Sequence, residues 1–147
     1  FNFVTLPLSD DLETEMRIVS QRTSELMIDY AIQANIPHEL LAMVVTIFRE
    51  LRIGQTLDGS TKVKSPRTVM SAAEAIAVLL DASVLAEHFG EGAVSASDVM
   101  PGLLASITKE QPEDESILRE YMETVLRDRD EPVWREMYSA GKAHLGS

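Results

Sequence analysis

The sequence contains no cysteine, which excludes disulfides, thiol nucleophiles and Cys-ligated metals. Three histidines, His38, His88 and His144, with no cysteine beside them, argue against a structural zinc site. Basic residues are scarce: 13 Lys and Arg face 24 Asp and Glu, a net charge of −11. Such a chain repels phosphate backbones, so a primary nucleic-acid role is disfavoured. No apolar run approaches the ~18 residues of a membrane span. No signal peptide is visible, which sets the expectation of a cytoplasmic protein. Glycines number only 7, and neither GxxxxGK[ST] nor GxGxxG occurs, so a complete nucleotide-binding core is absent.

What is present is ordinary globular material. With 147 residues, 45% hydrophobic and 25% charged, the chain has the size of one domain and can bury one core. It opens on Phe1, inside an alternating apolar stretch, rather than on methionine. That sets the expectation of a fragment, excised or cleaved from something longer. Residues 1–8, FNFVTLPL, are β-favouring and end at Pro7, so they are expected to form one short strand. A lone strand needs partners that this chain does not supply.

The remainder reads as helix. Ser9-Asp10-Asp11 caps a run from Leu12 through Met16, Val19 and Met27 to Ala34, as one helix or as two broken near Thr23-Ser24. Pro37 then opens a helix over about 38–52 with a wide apolar face. Residues 54–66 are turn-rich, and Asp58-Gly59 between short arms predicts a small β-hairpin near 54–64. Ser71 to Glu74 is a capping-box pattern that opens a central, alanine-rich helix ending at Gly90. Ser95 to Asp98 starts another helix, running to about Lys109 with Pro101 in its first turns. Residues 113–129 and 132–145 read as two more amphipathic helices, the second holding Trp134, Met137 and Tyr138. Residues 110–131 carry nine acids against three arginines, a run that reads as a solvated face rather than a docking site.

No active site emerges from residue types. The histidines stand 50 and 56 residues apart, none in a recognisable turn motif, and each reads as structural. Carboxylate pairs mean little in so acidic a chain, and no HExxH or DxDxDG string occurs. The string Lys62-Val63-Lys64-Ser65-Pro66-Arg67 stands out, with three cations in six residues before a helix. It is either a phosphate contact or a soluble turn.

The order of these features resembles the C-terminal part of an AAA+ ATPase, most of all the MoxR branch. Phe1, Phe3 and Pro7 match an F-x-F strand with a following proline, the last strand of that ATPase core. Ser65-Pro66-Arg67 matches the Ser-Pro-Arg that often holds the sensor-2 arginine. Val94-Ser95-Ala96-Ser97-Asp98-Val99 resembles the V-T-x-x-D-V opening of the last lid helix. The capping box at Ser71 starts the following helix after Arg67 rather than around it, a departure from the family pattern. The resemblance covers residues 1–108 and implies a mainly all-α fold, a lid-type helical bundle. Residues 1–8 would be the remnant core strand, 9–108 the lid and 109–147 a helical extension packed on it.

The resemblance further implies that Arg67 reaches the γ-phosphate of ATP, with Lys64 as a second, lesser candidate. ATP and magnesium would bind the full-length protein, which would work as a ring and remodel partners. The fragment alone would carry no catalytic residue and hold no cofactor or metal. Its partners would be the upstream P-loop core, neighbouring ring subunits and a von Willebrand A-type protein, with neither nucleic acid nor membrane. Residues 1–8 could also pair two fragment copies across an exposed edge. Residue types alone leave a second reading open: a free-standing acidic helical interaction domain with no nucleotide role.

Overall fold

The computed structural model describes residues 12–145. Six α-helices follow one another: α1 (Leu12–Asp29), α2 (His38–Ile53), α3 (Ala72–Phe89), α4 (Ala96–Ile107), α5 (Glu115–Thr124) and α6 (Pro132–Leu145). Short 3-10 turns, Pro112–Asp114 and Leu126–Asp128, flank α5. The expected all-α character holds for these residues. The strand expected over residues 1–8 lies outside them, as does any pairing through it.

The hairpin near 54–64 does not form. Only one isolated antiparallel bridge, Gln55 with Lys62, joins the two arms. A type I′ turn needs positive φ at both central residues, yet only Gly59 (φ 76°) adopts it. The Asp58 carboxylate instead draws the loop inward, accepting from Thr56 Oγ1 (2.7 Å), Ser60 N (2.9 Å) and Ser60 Oγ (2.8 Å). Those bonds, Thr56 first, hold the Asp58 pKa down at about 2. The arms are also truncated. Gly54 caps α2 in the left-handed region (φ 92°), and Ser65 Oγ donates to Leu51 O of α2 at 2.5 Å.

Helix ends follow local chemistry. α1 is one helix, unbroken at Thr23, and it stops at Asp29, earlier than its apolar spacing predicts. Ile32 N donates to Met27 O (2.8 Å) and Ala31 N to Ile28 O (3.1 Å), a Schellman closure. Ala31 takes the left-handed position (φ 57°) usually given to glycine. Ser71 Oγ accepts from Glu74 N at 3.2 Å, the first half of the expected box. The Glu74 side chain does not return it. That carboxylate accepts from Ser106 Oγ (2.9 Å) and Lys109 Nζ (2.7 Å), and so ties α3 to the end of α4. The helix expected over 113–129 breaks at Val125, where the chain turns to bury Val125 and Leu126.

One buried cluster runs through all six helices. It includes Val19 of α1, Phe48 and Leu51 of α2, Leu79 and Ala82 of α3, Met100 and Leu103 of α4, Leu118 of α5 and Met137 of α6. Each such Leu or Phe contributes roughly 1.5–3 kcal/mol by burial. On α3, Ala75, Ala82 and Ala86 are fully buried, and their small side chains let α1, α2 and α4 approach. At the α5–α6 crossing Gly141 leaves room for a methionine: a Cβ there would lie 2.2 Å from Met122 Cε, so the Met122 tip would have to move.

The first four helices alternate in direction. At one end the loops after α1 and α3 meet, with Asn35 N donating to Gly92 O (2.7 Å) and Val94 N to Asn35 O (2.8 Å). The other end gathers the start of α1, the end of α2, the start of α3 and the end of α4. Helices α5 and α6 pack on α4, and α6 also reaches α2.

Candidate functional site

The segment joining α2 to α3 crosses that second end as a strap. Every residue from Ser65 to Met70 is tied down by a bond or by burial, Val69 through its carbonyl, which accepts from Ser71 N at 2.9 Å. Ser65 is held by the Leu51 carbonyl. Pro66 is buried and has no N–H to satisfy. Arg67 N donates to Asp114 Oδ2 at 2.7 Å. Thr68 is 5% exposed, and its hydroxyl donates to Ile107 O (3.4 Å) and accepts from Glu110 N (3.3 Å). Met70 is 1% exposed, and its carbonyl accepts from Arg52 Nη1 at 2.9 Å. Arg52 Nη2 continues to Glu15 Oε1 at 2.7 Å. The strap is thereby linked to the first turns of α1.

The side chains on the strap behave differently from its backbone. Burial alternates from Pro66 to Met70, so Arg67 and Val69 stand outward while their neighbours are inward. Arg67 is exposed, and among the described residues its guanidinium enters no ion pair or hydrogen bond. The same is true of Lys62 and Lys64. Most other basic side chains are engaged: Arg22 with Glu25, Arg49 and Arg52 with Glu15, Lys109 with Glu74, Arg119 with Glu115, Arg129 with Glu50 and Lys142 with Glu123. In a chain this acidic, unpaired cations concentrate in the one string that composition singled out. A guanidinium held on a fixed backbone and left without a carboxylate partner suits a phosphate oxygen.

Nothing in the described residues matches a metal: no group of three or more His, Asp or Glu is placed to hold one. His38, His88 and His144 are exposed on α2, α3 and α6 and form no constellation. No helix among the described residues is long and apolar enough to cross a membrane. The acids between 110 and 131 are mainly exposed, as a solvated face requires.

Sequence reasoning singled out Arg67 and Lys64 but not the residues that hold their segment. Asp114, Thr68, Arg52 and Glu15 come from four separate stretches of chain. Nothing in their local sequence marks them, because each acts on a partner at least 18 residues away.

Comparison with known proteins identifies a family for the chain. Residues 13–144 match the family described as YehL-like AAA+ ATPase C-terminal domain. The chain is similar to the protein YehL of Escherichia coli (strain K12), described as uncharacterized: 27% identical over 140 residues, 95% of this chain and 38% of that protein. The chain thus spans well under half the length of that relative. No solved structure matches it. With the match running from the second residue of α1 to the last residue but one of α6, the chain belongs to the YehL-like AAA+ ATPase C-terminal domain family.

Proposed function

We propose that this chain is the lid of an ATP-hydrolysing AAA+ protein of MoxR type, and that Arg67 is its sensor-2 arginine. One observation carries the reading: the strap fixes the Arg67 backbone while leaving its guanidinium exposed and, among the described residues, unpaired. The strap also lies at the end of the bundle where α1 begins. On this reading that end faces the nucleotide-binding core, and Arg67 meets the γ-phosphate as charge develops on it. Lys64, three residues earlier and also exposed, adds positive potential on the approach.

ATP and magnesium belong to this reading as ligands of the whole ATPase. The donor set here fits a phosphate oxygen, while contacts to the metal and base fall to residues elsewhere in the protein. In the same reading the lid turns as a rigid body between nucleotide states. It passes that motion to neighbouring ring subunits and to a remodelled partner, a von Willebrand A-type protein being one class that fits. Membership in a family of ATPase C-terminal domains favours this over an acidic docking module with no nucleotide role.

The test is steady-state turnover by the full-length ATPase. Arg67→Ala is expected to lower kcat by about tenfold or more, the scale at which a guanidinium on a transferring phosphoryl group acts. Circular dichroism should show an unchanged helical fold, since the Arg67 side chain is exposed and makes no hydrogen bond or ion pair among the described residues. Unaltered kcat in a folded variant overturns the assignment.

A further inference from the structure

The bond between Arg67 N and Asp114 Oδ2 spans 47 residues and joins the strap to the C-terminal extension. Asp114 ends the 3-10 turn Pro112–Asp114, directly before α5. An aspartate in that place ordinarily caps its own helix. Here its backbone is helical (φ −68°, ψ −4°) and its carboxylate makes no cap bond to α5. The side chain reaches across to the strap instead. A second clip lies beside it, where Glu110 N donates to Thr68 Oγ1 at 3.3 Å. Two bonds from one short stretch, residues 110–114, therefore bracket Arg67 and its neighbour. The stretch is itself firmly based, because α5 behind it buries Leu118 and Tyr121.

We propose that residues 110–114 form a latch that positions Arg67, with Asp114 as the positioning residue. The C-terminal extension then sets how well the phosphate-contacting side chain is aimed. The proposal rests on the reading of Arg67 as a phosphate contact. Asp114 acts only through the Arg67 amide and touches no nucleotide. The latch gives the extension a role in the ATPase step in addition to completing the core: any partner that shifts α5 moves the anchor of Arg67.

The experiment uses the full-length ATPase with Asp114→Ala, Asp114→Asn, Arg67→Ala and the double variant Arg67→Ala/Asp114→Ala. Asp114→Ala is expected to lower kcat by about three- to tenfold, the weight of one ordinary, partly exposed hydrogen bond, with little change in KM for ATP. Asp114→Asn retains an acceptor oxygen and restores most of the rate. The double variant matches Arg67→Ala alone, because a lost aim does not matter once the guanidinium is gone. Hydrogen exchange at the Arg67 amide speeds up in Asp114→Ala without added nucleotide. An unchanged exchange rate overturns the latch, whatever Arg67 does. Losses that multiply in the double variant show a structural role only and overturn the positioning claim. If Arg67→Ala leaves kcat intact while Asp114→Ala frees the amide, the phosphate reading falls and the positioning role falls with it.

Discussion

Two buried carboxylates join α2 to its neighbours on two sides, and they are completed differently. Glu15 of α1 lies 6% exposed and binds Arg49 (2.8 Å) and Arg52 (2.7 Å) through a single oxygen, Oε1. Its other oxygen, Oε2, is buried without a partner among the described residues. Glu50 of α2 is fully buried with both oxygens occupied. Oε1 accepts from Tyr121 Oη at 2.6 Å, and Oε2 from Arg129 Nη2 (2.5 Å) and Leu57 N (3.0 Å). Arg129 in turn stacks on Trp134, 4.3 Å from the ring centroid. Arg49 and Glu50 are adjacent on α2, about 100° apart around the helix. One serves the joint to α1, the other the joint to the extension. A buried charge is tolerable when its hydrogen-bonding capacity is met. By that criterion Glu50 welds the extension to α2 more fully than Glu15 holds α1, although Arg129 Nη1 beside it is also buried with no partner among the described residues.

The largest expected effect tests the weld. Glu50→Ala leaves Arg129 half-buried and Tyr121 Oη buried without their acceptor, and should destabilise the fold by about 3–5 kcal/mol. Urea denaturation reads this as a lowered midpoint at similar slope. Glu15→Ala should fall at the lower end of that range, about 3 kcal/mol, because it strands the buried Arg49 guanidinium while the rest of the joint is relieved. Arg52 is a quarter exposed and keeps its bond to the Met70 carbonyl, and the already unpaired Oε2 leaves with the side chain. A loss for Glu15→Ala equal to that for Glu50→Ala would break the comparison.

The smallest effect concerns Tyr121 and sharpens it. Tyr121→Phe removes one bond to Glu50 and should cost about 1–2 kcal/mol near neutral pH. It also carries a pH signature. Burial, and then the Glu50 charge, push the Tyr121 pKa well above the ordinary 10.0. In the unfolded chain the phenol ionises near that ordinary value, while in the fold it keeps its proton. Stability from this group is therefore present below pH 10 and lost as pH rises beyond it. Urea midpoints measured from about pH 8 to about pH 11 should fall more steeply for the parent protein than for Tyr121→Phe. Parallel slopes would remove Tyr121 from the account.

Much of the bundle was legible because helix ends are written locally. Pro37, Gly54, Ser71, Gly90 and Ser95 each act on residues within a turn or two of themselves, and the helices begin or end beside them. The failures share one cause. Asp58-Gly59 carries a hairpin signal, but Asp58 spends its carboxylate on Thr56 and Ser60, and the arms are claimed by α2 and the strap. The run 113–129 keeps helical spacing, yet Val125 and Leu126 turn into the core and Arg129 reaches back to Glu50 across 79 residues. Arg67 was legible as one basic residue in an acidic chain. Its pinned backbone was not, because Asp114 sits within a run of acids where no single member stands apart.

The outward alternation of the strap has a practical consequence. Val69 is 71% exposed on the same stretch as Arg67, and its backbone is held from both sides by Thr68 and Met70. The chain holds no cysteine of its own. A single thiol introduced as Val69→Cys would be unique within this domain, and a dye attached there would move with the arginine two residues away. On the proposed reading, the point where nucleotide state should matter most is thus also a point where it can be watched by fluorescence.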